Sequence, residues 1–286
     1  MSRIGTDHFT VTFFGVRGST PCDGPELERY GGNTSCVGVD IAGQRPIMLD
    51  LGTGSRRYGL ARPTDEVYDG VCLVTHLHWD HVQGLPFFPP VLRPGSHMEI
   101  HAPVQEDGRD LADVLRGLWR PPAFPVEVDI LPGDFTFAAH GDEEFEIGDV
   151  RVMSRLIPHV GNTLGYRLEW GGRSVAYLSD HQQPITPTFE LAPGARELCA
   201  GADLLIHDAQ YTVEEFAQKS HWGHCTVEYA AWVAKECGVS TLALFHHDPT
   251  HSDDMLDRMR ERAAECCGEG VRVISAAQGQ TVAVGG

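Results

Sequence analysis

Short apolar runs bounded by glycine, proline or polar residues recur along the whole chain. Residues 9–14, FTVTFF, alternate into Gly15 as a strand entering a loop does, and VGVDI (37–41) and PIMLDLGTG (46–54) read as two more strands. GVCLVT (70–75), MEIHAP (98–103), VRVMSRLIPH (150–159), GYRLEW (165–170), SVAYLSD (174–180), DLLIHDA (203–209), TLALFHHD (241–248) and VRVISA (271–276) follow the same style. Helical spacing interrupts them. Leu111, Val114, Leu115 and Leu118 share one face of 109–119, which PPAFP ends because proline cannot continue a helix. A second helix at 226–237 has Thr226 as N-cap, Glu228 in its first turn and Gly238 past its end. A third, at 252–267, lines up Leu256, Met259, Ala263 and Cys267 and stops at Gly268. No repeat or linker divides residues 1–286. The pattern predicts one α/β (α+β) domain of sheets covered by helices.

Five of the apolar runs finish on a polar residue of one kind. His76 follows GVCLVT, His159 ends VRVMSRLIP, Asp180 ends SVAYLS, Asp208 follows DLLIH, and His246 ends TLALF. Ligand sites gather outside the carboxyl ends of strands, and five such ends, all His or Asp, are a poor match to chance. The stretch HLHWDH adds geometry. Residues i and i+2 of an extended chain face one way, so His76 and His78 can grip one ion. Asp80 and His81 lie past the strand end, where a turn can aim them at a second ion. Imidazole and carboxylate suit zinc, manganese or iron, and open His/Asp sets without thiolate are more often catalytic than structural.

Composition narrows the rest. The net charge of −18, with Lys219 and Lys235 the only lysines, argues against a protein built to grip long nucleic acid, which uses a basic face. The eight cysteines form no CxxC pair and read as buried thiols of a reducing compartment. No run is long enough to span a membrane and MSRIGTDHFTVTFFG has no export signal, so a cytoplasmic protein is expected.

The motif THLHWDH resembles the HxHxDH signature of the metallo-β-lactamase fold, and the later His, Asp and His match its remaining motifs in order across essentially the whole chain. The resemblance implies a four-layer αββα sandwich with two divalent metal ions, zinc or manganese with iron also accommodated, at one edge. It assigns His76, His78 and His159 to one ion and Asp80, His81 and His246 to the other, with Asp180 between them. LFHHDP also offers His247 for the last position; His246 is preferred because it directly ends the run TLALF. His181, beside Asp180, is read as supporting the site rather than binding an ion.

Within the fold, HDAQYT (207–212) and the segment that follows it resemble the phosphodiesterase branch that includes ribonuclease Z. The resemblance implies a proton relay of Asp208 and His224, with Asp where that branch commonly carries Glu; Asp80 is included among the catalytic groups, and His221 is a less favoured substitute for His224. Ribonuclease Z carries a long basic arm, commonly between the third metal histidine and the bridging aspartate. Here His159 and Asp180 are close in sequence and two strands and a turn fill the interval. With the acidic balance, this disfavours structured nucleic acid as partner. The expected substrate is a small, cyclic phosphodiester such as a cyclic nucleotide or sugar cyclic phosphate, attacked by hydroxide with His224 as proton donor. The alternatives are a thioester or lactone hydrolase on the same ions and a ribonuclease Z-like RNA nuclease. In the loop GVRGSTPCDGPELERYGGNTSC (15–36), glycine permits close backbone approach and Arg17 is a candidate phosphate ligand. Phe87, Phe88 and Trp119 are assigned to core packing. A homodimer is left open.

Overall fold

A computed structural model describes residues 8–186 and 188–285. The segment 1–7, part of the stretch read above for an export signal, lies outside them. The first sheet holds β1 (Phe9–Gly15), β2 (Cys36–Ile41), β3 (Ile47–Leu49), β4 (Asp69–Leu73), β5 (His97–Pro103) and β6 (Asp134–His140) in chain order, with β14 (Thr281–Ala283) on the outer side of β1. The second holds β7 (Glu143–Ile147), β8 (Val150–Leu156), β9 (Leu164–Trp170), β10 (Arg173–Leu178), β11 (Leu204–Asp208), β12 (Thr241–Phe245) and β13 (Arg272–Ser275), again in sequence order. Strands β3 to β6 pair in parallel, as do β10 to β13.

Side-chain alternation explains the layering. Val71 and Leu73 of β4 join the core between the sheets, whereas Cys72 and Val74 face outward to a helical layer. In the second sheet Val175 and Tyr177, Leu204 and Ile206, and Ala243 and Phe245 point to the same central core; Ala176, Leu178, Leu205, Leu242 and Leu244 point away from it. The period-two pattern thus buries both faces of both sheets, as expected for parallel strands covered by helices. Helices α4 (Pro193–Cys199), α6 (Val227–Glu236) and α7 (Asp253–Cys267) cover the second sheet; α1 (Ser55–Leu60) and α3 (Leu111–Leu118) cover the first. The short α2 (Trp79–Val82) and α5 (Val213–Lys219) complete the set among the described residues. The four-layer αββα sandwich expected from the sequence is the observed architecture.

Helix ends follow the local rules. Thr226 accepts from the Tyr229 amide, Ser252 from that of Met255, and Asp110 from Ala112 and Asp113. One expectation in the core fails: Phe88 and Trp119 are buried, but Phe87 is 58% exposed. Among the described residues no helix is long and apolar enough to cross a membrane.

Candidate metal centre

Parallel pairing puts the polar strand ends side by side. Leu178 of β10 sits opposite His207, and Asp208 of β11 opposite Phe245, so Asp180, Asp208 and His246 emerge from three adjacent strands at one edge. The segment after β4 delivers His76 and His78 from the first sheet, and α2 turns Asp80 and His81 toward the same point.

The seven residues converge. His81 Nε2 lies 3.2 Å from Asp180 Oδ1 and 3.3 Å from Asp80 Oδ2, and His246 Nε2 lies 3.2 Å from each of those oxygens. His159 Nε2 is 3.6 Å and His76 Nε2 3.8 Å from the other Asp180 oxygen, Oδ2. His78 Nδ1 stands 3.2 Å from His159 Nε2. Two sets of donors that share no residue result, His76, His78, His159 and Asp180 on one side and Asp80, His81 and His246 on the other; Asp180, His224 and His246 form a third group that overlaps both. His247 points elsewhere: its Nε2 donates to the Ala276 carbonyl at 3.0 Å.

Whether these residues fit cations is decided by where the imidazole protons must sit. His81 Nδ1 donates to Asp50 Oδ2 (2.8 Å), His159 Nδ1 to the Gly223 carbonyl (2.7 Å) and His246 Nδ1 to Gln210 Oε1 (3.1 Å). Thr75 donates its hydroxyl to Asp50, so its oxygen accepts from His76 Nδ1 (3.1 Å). Four rings therefore spend their Nδ1 protons outward and aim Nε2 lone pairs inward. His76 Nε2 is buried with no hydrogen-bond partner, and His81 and His246 face each other Nε2 to Nε2 at 3.2 Å. Nε2 atoms opposed in this way need a cation among them: a proton, favoured on His81 where Asp80, Asp180 and Asp50 outweigh burial, or a metal ion, for which the outward hydrogen bonds are the usual pattern of bound histidine. Burial holds His76, His78 and His159 below the usual imidazole range, in the neutral form a metal needs. Burial alone would raise Asp180, yet the surrounding imidazoles hold it well below the carboxylate range. The donor set fits divalent metal ions.

Close packing of backbone supports the cage. A Cβ on Gly18 would meet the His246 ring at 2.4 Å, and one on Gly223, whose φ is +96°, would meet His159 at the same distance. Ser19, with φ of +63°, donates its amide to Asp80 Oδ2 at 2.7 Å. Arg17, a candidate phosphate ligand from its sequence, has another task. It is fully buried and donates to the carbonyls of Gly31, Asp248 and His251, tying the glycine-rich loop to the turn before α7.

Behind the cage, His224 Nδ1 donates to Asp208 Oδ2 at 2.7 Å, so the shorter carboxylate reaches its partner. Asp208 is fully buried and also accepts from the amides of Gln210 and Cys225. Burial opposes charge on His224, but Asp208 outweighs it and lifts the imidazole above its ordinary value. The ring stacks on His246, with centroids 5.0 Å apart. His221 is exposed. His181 is buried against His207, its Nδ1 2.9 Å from His207 Nε2. Asp50 and Gln210 were not singled out from the sequence, although PIML ends in Asp50 just as the other runs end in theirs.

A layered pair of sheets whose carboxyl ends converge imidazole and carboxylate donors, with a carboxylate–imidazole pair alongside, defines a metal-dependent hydrolase. The chain belongs to the β-lactamase superfamily, whose domain matches residues 48–247. It is similar to the Ribonuclease Z of Haloarcula marismortui (26% identical over 307 residues, covering 88% of this chain and 91% of that one) and of Natronomonas pharaonis (25% over 291, covering 85% and 88%). Among solved structures, the metallo-β-lactamase fold protein YhfI of Bacillus subtilis superposes with a TM-score of 0.74 at 18% identity, covering 97% of this chain and 99% of that one.

These relatives correct one expectation. A small-molecule substrate, with structured nucleic acid disfavoured, does not agree with relatives named Ribonuclease Z along 85–88% of the chain. The interval between His159 and Asp180 is indeed taken up by the β9–β10 hairpin. But an alignment of 307 positions is longer than this chain of 286, so that relative carries insertions on a shared frame. An arm is an addition to the frame, and its absence does not set the size of the substrate. Net charge misled for a related reason: it averages over the surface and is silent about one edge.

Proposed function

We propose that this chain is an RNA phosphodiesterase in which His76, His78 and His159 would hold one divalent ion and Asp80, His81 and His246 a second, with Asp180 lying between the two sets. The observation that carries the reading is the His224–Asp208 pair, 2.7 Å between Nδ1 and Oδ2, set against converging Nε2 lone pairs. Imidazole and carboxylate donors without thiolate suit zinc or manganese. When bound, such a pair lowers the pKa of water toward neutrality and offsets charge on a phosphoryl group.

The chain's own residues do the rest. An RNA strand leaves as an alkoxide, a poor leaving group that needs a proton. Asp208 fixes the His224 ring through Nδ1 and favours its protonated form, which leaves Nε2–H as the end that donates. Asp50, Gln210 and the Gly223 carbonyl each hold one Nδ1 proton, so the inward nitrogens stay available. Asp80 is fixed by the Ser19 amide.

The test is His224→Ala in protein loaded with zinc or manganese, assayed on an unstructured RNA and analysed for metal. The variant keeps its metal content and loses about 10²–10⁴ in turnover, the usual scale for a proton donor. Loss of metal together with turnover would move His224 into the ligand set, which its proximity to Asp180 and His246 makes a meaningful outcome. Unchanged turnover would end the relay reading.

A further inference from the structure

Directly after Asp180 the chain runs His181, Gln182, Gln183, and the two glutamines take no part in the chemistry described so far. Gln183 is buried and Gln182 half-buried. Amides in such a place are costly unless their polar ends are matched. They are matched, mostly by one stretch, residues 220–226, which carries Gly223 and His224. Gln182 Oε1 accepts from the Gly223 amide at 2.7 Å, and its Nε2 donates to the carbonyls of Ser220 (2.8 Å) and Gln183 (2.6 Å). The Gln183 backbone amide donates to the His224 carbonyl at 3.2 Å. Gln183 Oε1 accepts from the Thr226 amide (3.1 Å) and hydroxyl (2.9 Å), which leaves a Thr226 lone pair for the Tyr229 amide in the first turn of α6. On the far side, the Gln182 backbone amide donates to the carbonyl of Pro158, the residue before His159, at 2.7 Å.

These bonds reach two groups of the site by different routes. Gly223 is gripped at both ends: Gln182 holds its amide, and its carbonyl receives the His159 Nδ1 proton at 2.7 Å. Moving Gln182 therefore moves the acceptor that turns the His159 ring. His224 is the next residue along, fixed through its own carbonyl and through Thr226 by Gln183. The chemical demands on the two side chains also differ. Gln182 uses donor and acceptor together, so a carboxylate there would set negative charge against the Ser220 and Gln183 carbonyls. Gln183 acts on this stretch through its acceptor oxygen, which glutamate keeps and methionine, of similar length, lacks.

We propose that Gln182 and Gln183 are positioning residues with separate tasks: Gln182, through Gly223, aims His159 at the ion it would hold, and Gln183 sets the reach of His224. The proposal rests on the reading of the site given above, and two of its readouts involve neither RNA nor turnover.

The test compares Gln182→Glu, Gln182→Met, Gln183→Glu and Gln183→Met in the full chain. Zinc affinity is measured by chelator competition. The imidazole proton shared by His224 and Asp208 is followed by NMR, identified by its absence from His224→Ala. Turnover is measured on an unstructured RNA and on bis-p-nitrophenyl phosphate, whose leaving group needs no proton. Both Gln182 variants lose about 10–100-fold in zinc affinity, the usual cost of disturbing a group that orients a ligand, and the Gln183 variants bind zinc as the wild type does. Gln183→Met loses the imidazole resonance and lowers kcat on RNA by roughly 10²-fold at near-constant KM, at least tenfold more than on the activated diester. Gln183→Glu restores the resonance and the kcat. Wild-type zinc affinity in both Gln182 variants overturns the first task. An unchanged resonance in Gln183→Met, or equal losses in Gln183→Met and Gln183→Glu, overturns the second. A wild type that hydrolyses the activated diester but no RNA sinks the RNA reading, while zinc affinity and the resonance still decide for or against the glutamines.

Discussion

Two of the buried histidine clusters among the described residues are built differently. At the carboxyl edge of the sheets, four rings give their Nδ1 protons to outer partners and leave Nε2 lone pairs facing one another. Between β5 and β6, His101 and His140 form a hydrogen-bonded chain. His140 Nδ1 donates to Glu143 Oε1 at 2.9 Å, and its Nε2 accepts from His101 Nδ1 at 2.7 Å. Phe145 stacks on both rings, within 6° of one plane and 18° of the other. Both clusters are buried and both adjoin carboxylates. Each holds a buried nitrogen without a hydrogen-bond partner, His76 Nε2 in the first and His101 Nε2, 3.1 Å from Glu99 Oε1, in the second. Only the first brings several Nε2 atoms and two aspartates to one point, so convergence, and not the number of histidines, separates a candidate metal centre from a packed polar patch.

The sharpest way to break this contrast is to remove an inward donor from each cluster. His76→Ala or Asp180→Ala should bring bound metal and turnover to background together, read by elemental analysis and RNA cleavage. His101→Ala should leave metal stoichiometry as it was. A bound ion lost from the His101 variant, or kept in the His76 variant, would erase the distinction. Next in size is the support behind the cage. Asp50→Asn keeps the shape but blunts the acceptor for His81 and Thr75, and a 10–100-fold loss of metal affinity in a chelator competition is expected, the usual cost of disturbing a group that orients a ligand. Smallest is the pH response of the His101–His140 pair. Burial, with His140 beside it, holds His101 below its ordinary value of 6.5, while Glu99 pulls the other way. Its native form is neutral, so the unfolded chain takes up the proton first. Stability should be unaffected above about pH 6.5 and decline as the pH falls through it, until the folded value is reached. Urea unfolding at several pH values should show that slope flattened in His101→Phe.

Much of the cage could be read from the chain because it obeys the strand rule. An apolar run such as SVAYLS or TLALF announces a buried strand, and the residue that ends it marks the site edge. Asp50 obeys that rule too and was passed over, since LDLGTG reads equally well as a turn. Ser19 and Gln210 left no such mark: their roles arise from a positive φ and from a side chain reaching a ring across the edge. Strands β6 and β7 were not foreseen either. They are the outer strands of their sheets, and EEFEI, with three glutamates, lacks the apolar alternation that a core would impose. Arg17 misled for a different reason: an arginine in a glycine-rich loop serves an anion or its own backbone equally well, and only the closed fold decides. The kind of diester was out of reach, because it depends on the edge around the cage and not on the cage.

The candidate ligands come from both halves of the sandwich, with His76 and His81 rooted beside the first sheet and Asp180 and His246 on the second. Any ion they share is therefore a clasp between the layers. Its binding energy becomes cohesion for the whole molecule, so a chelator should do more than silence the chemistry: the two halves would part at a lower temperature.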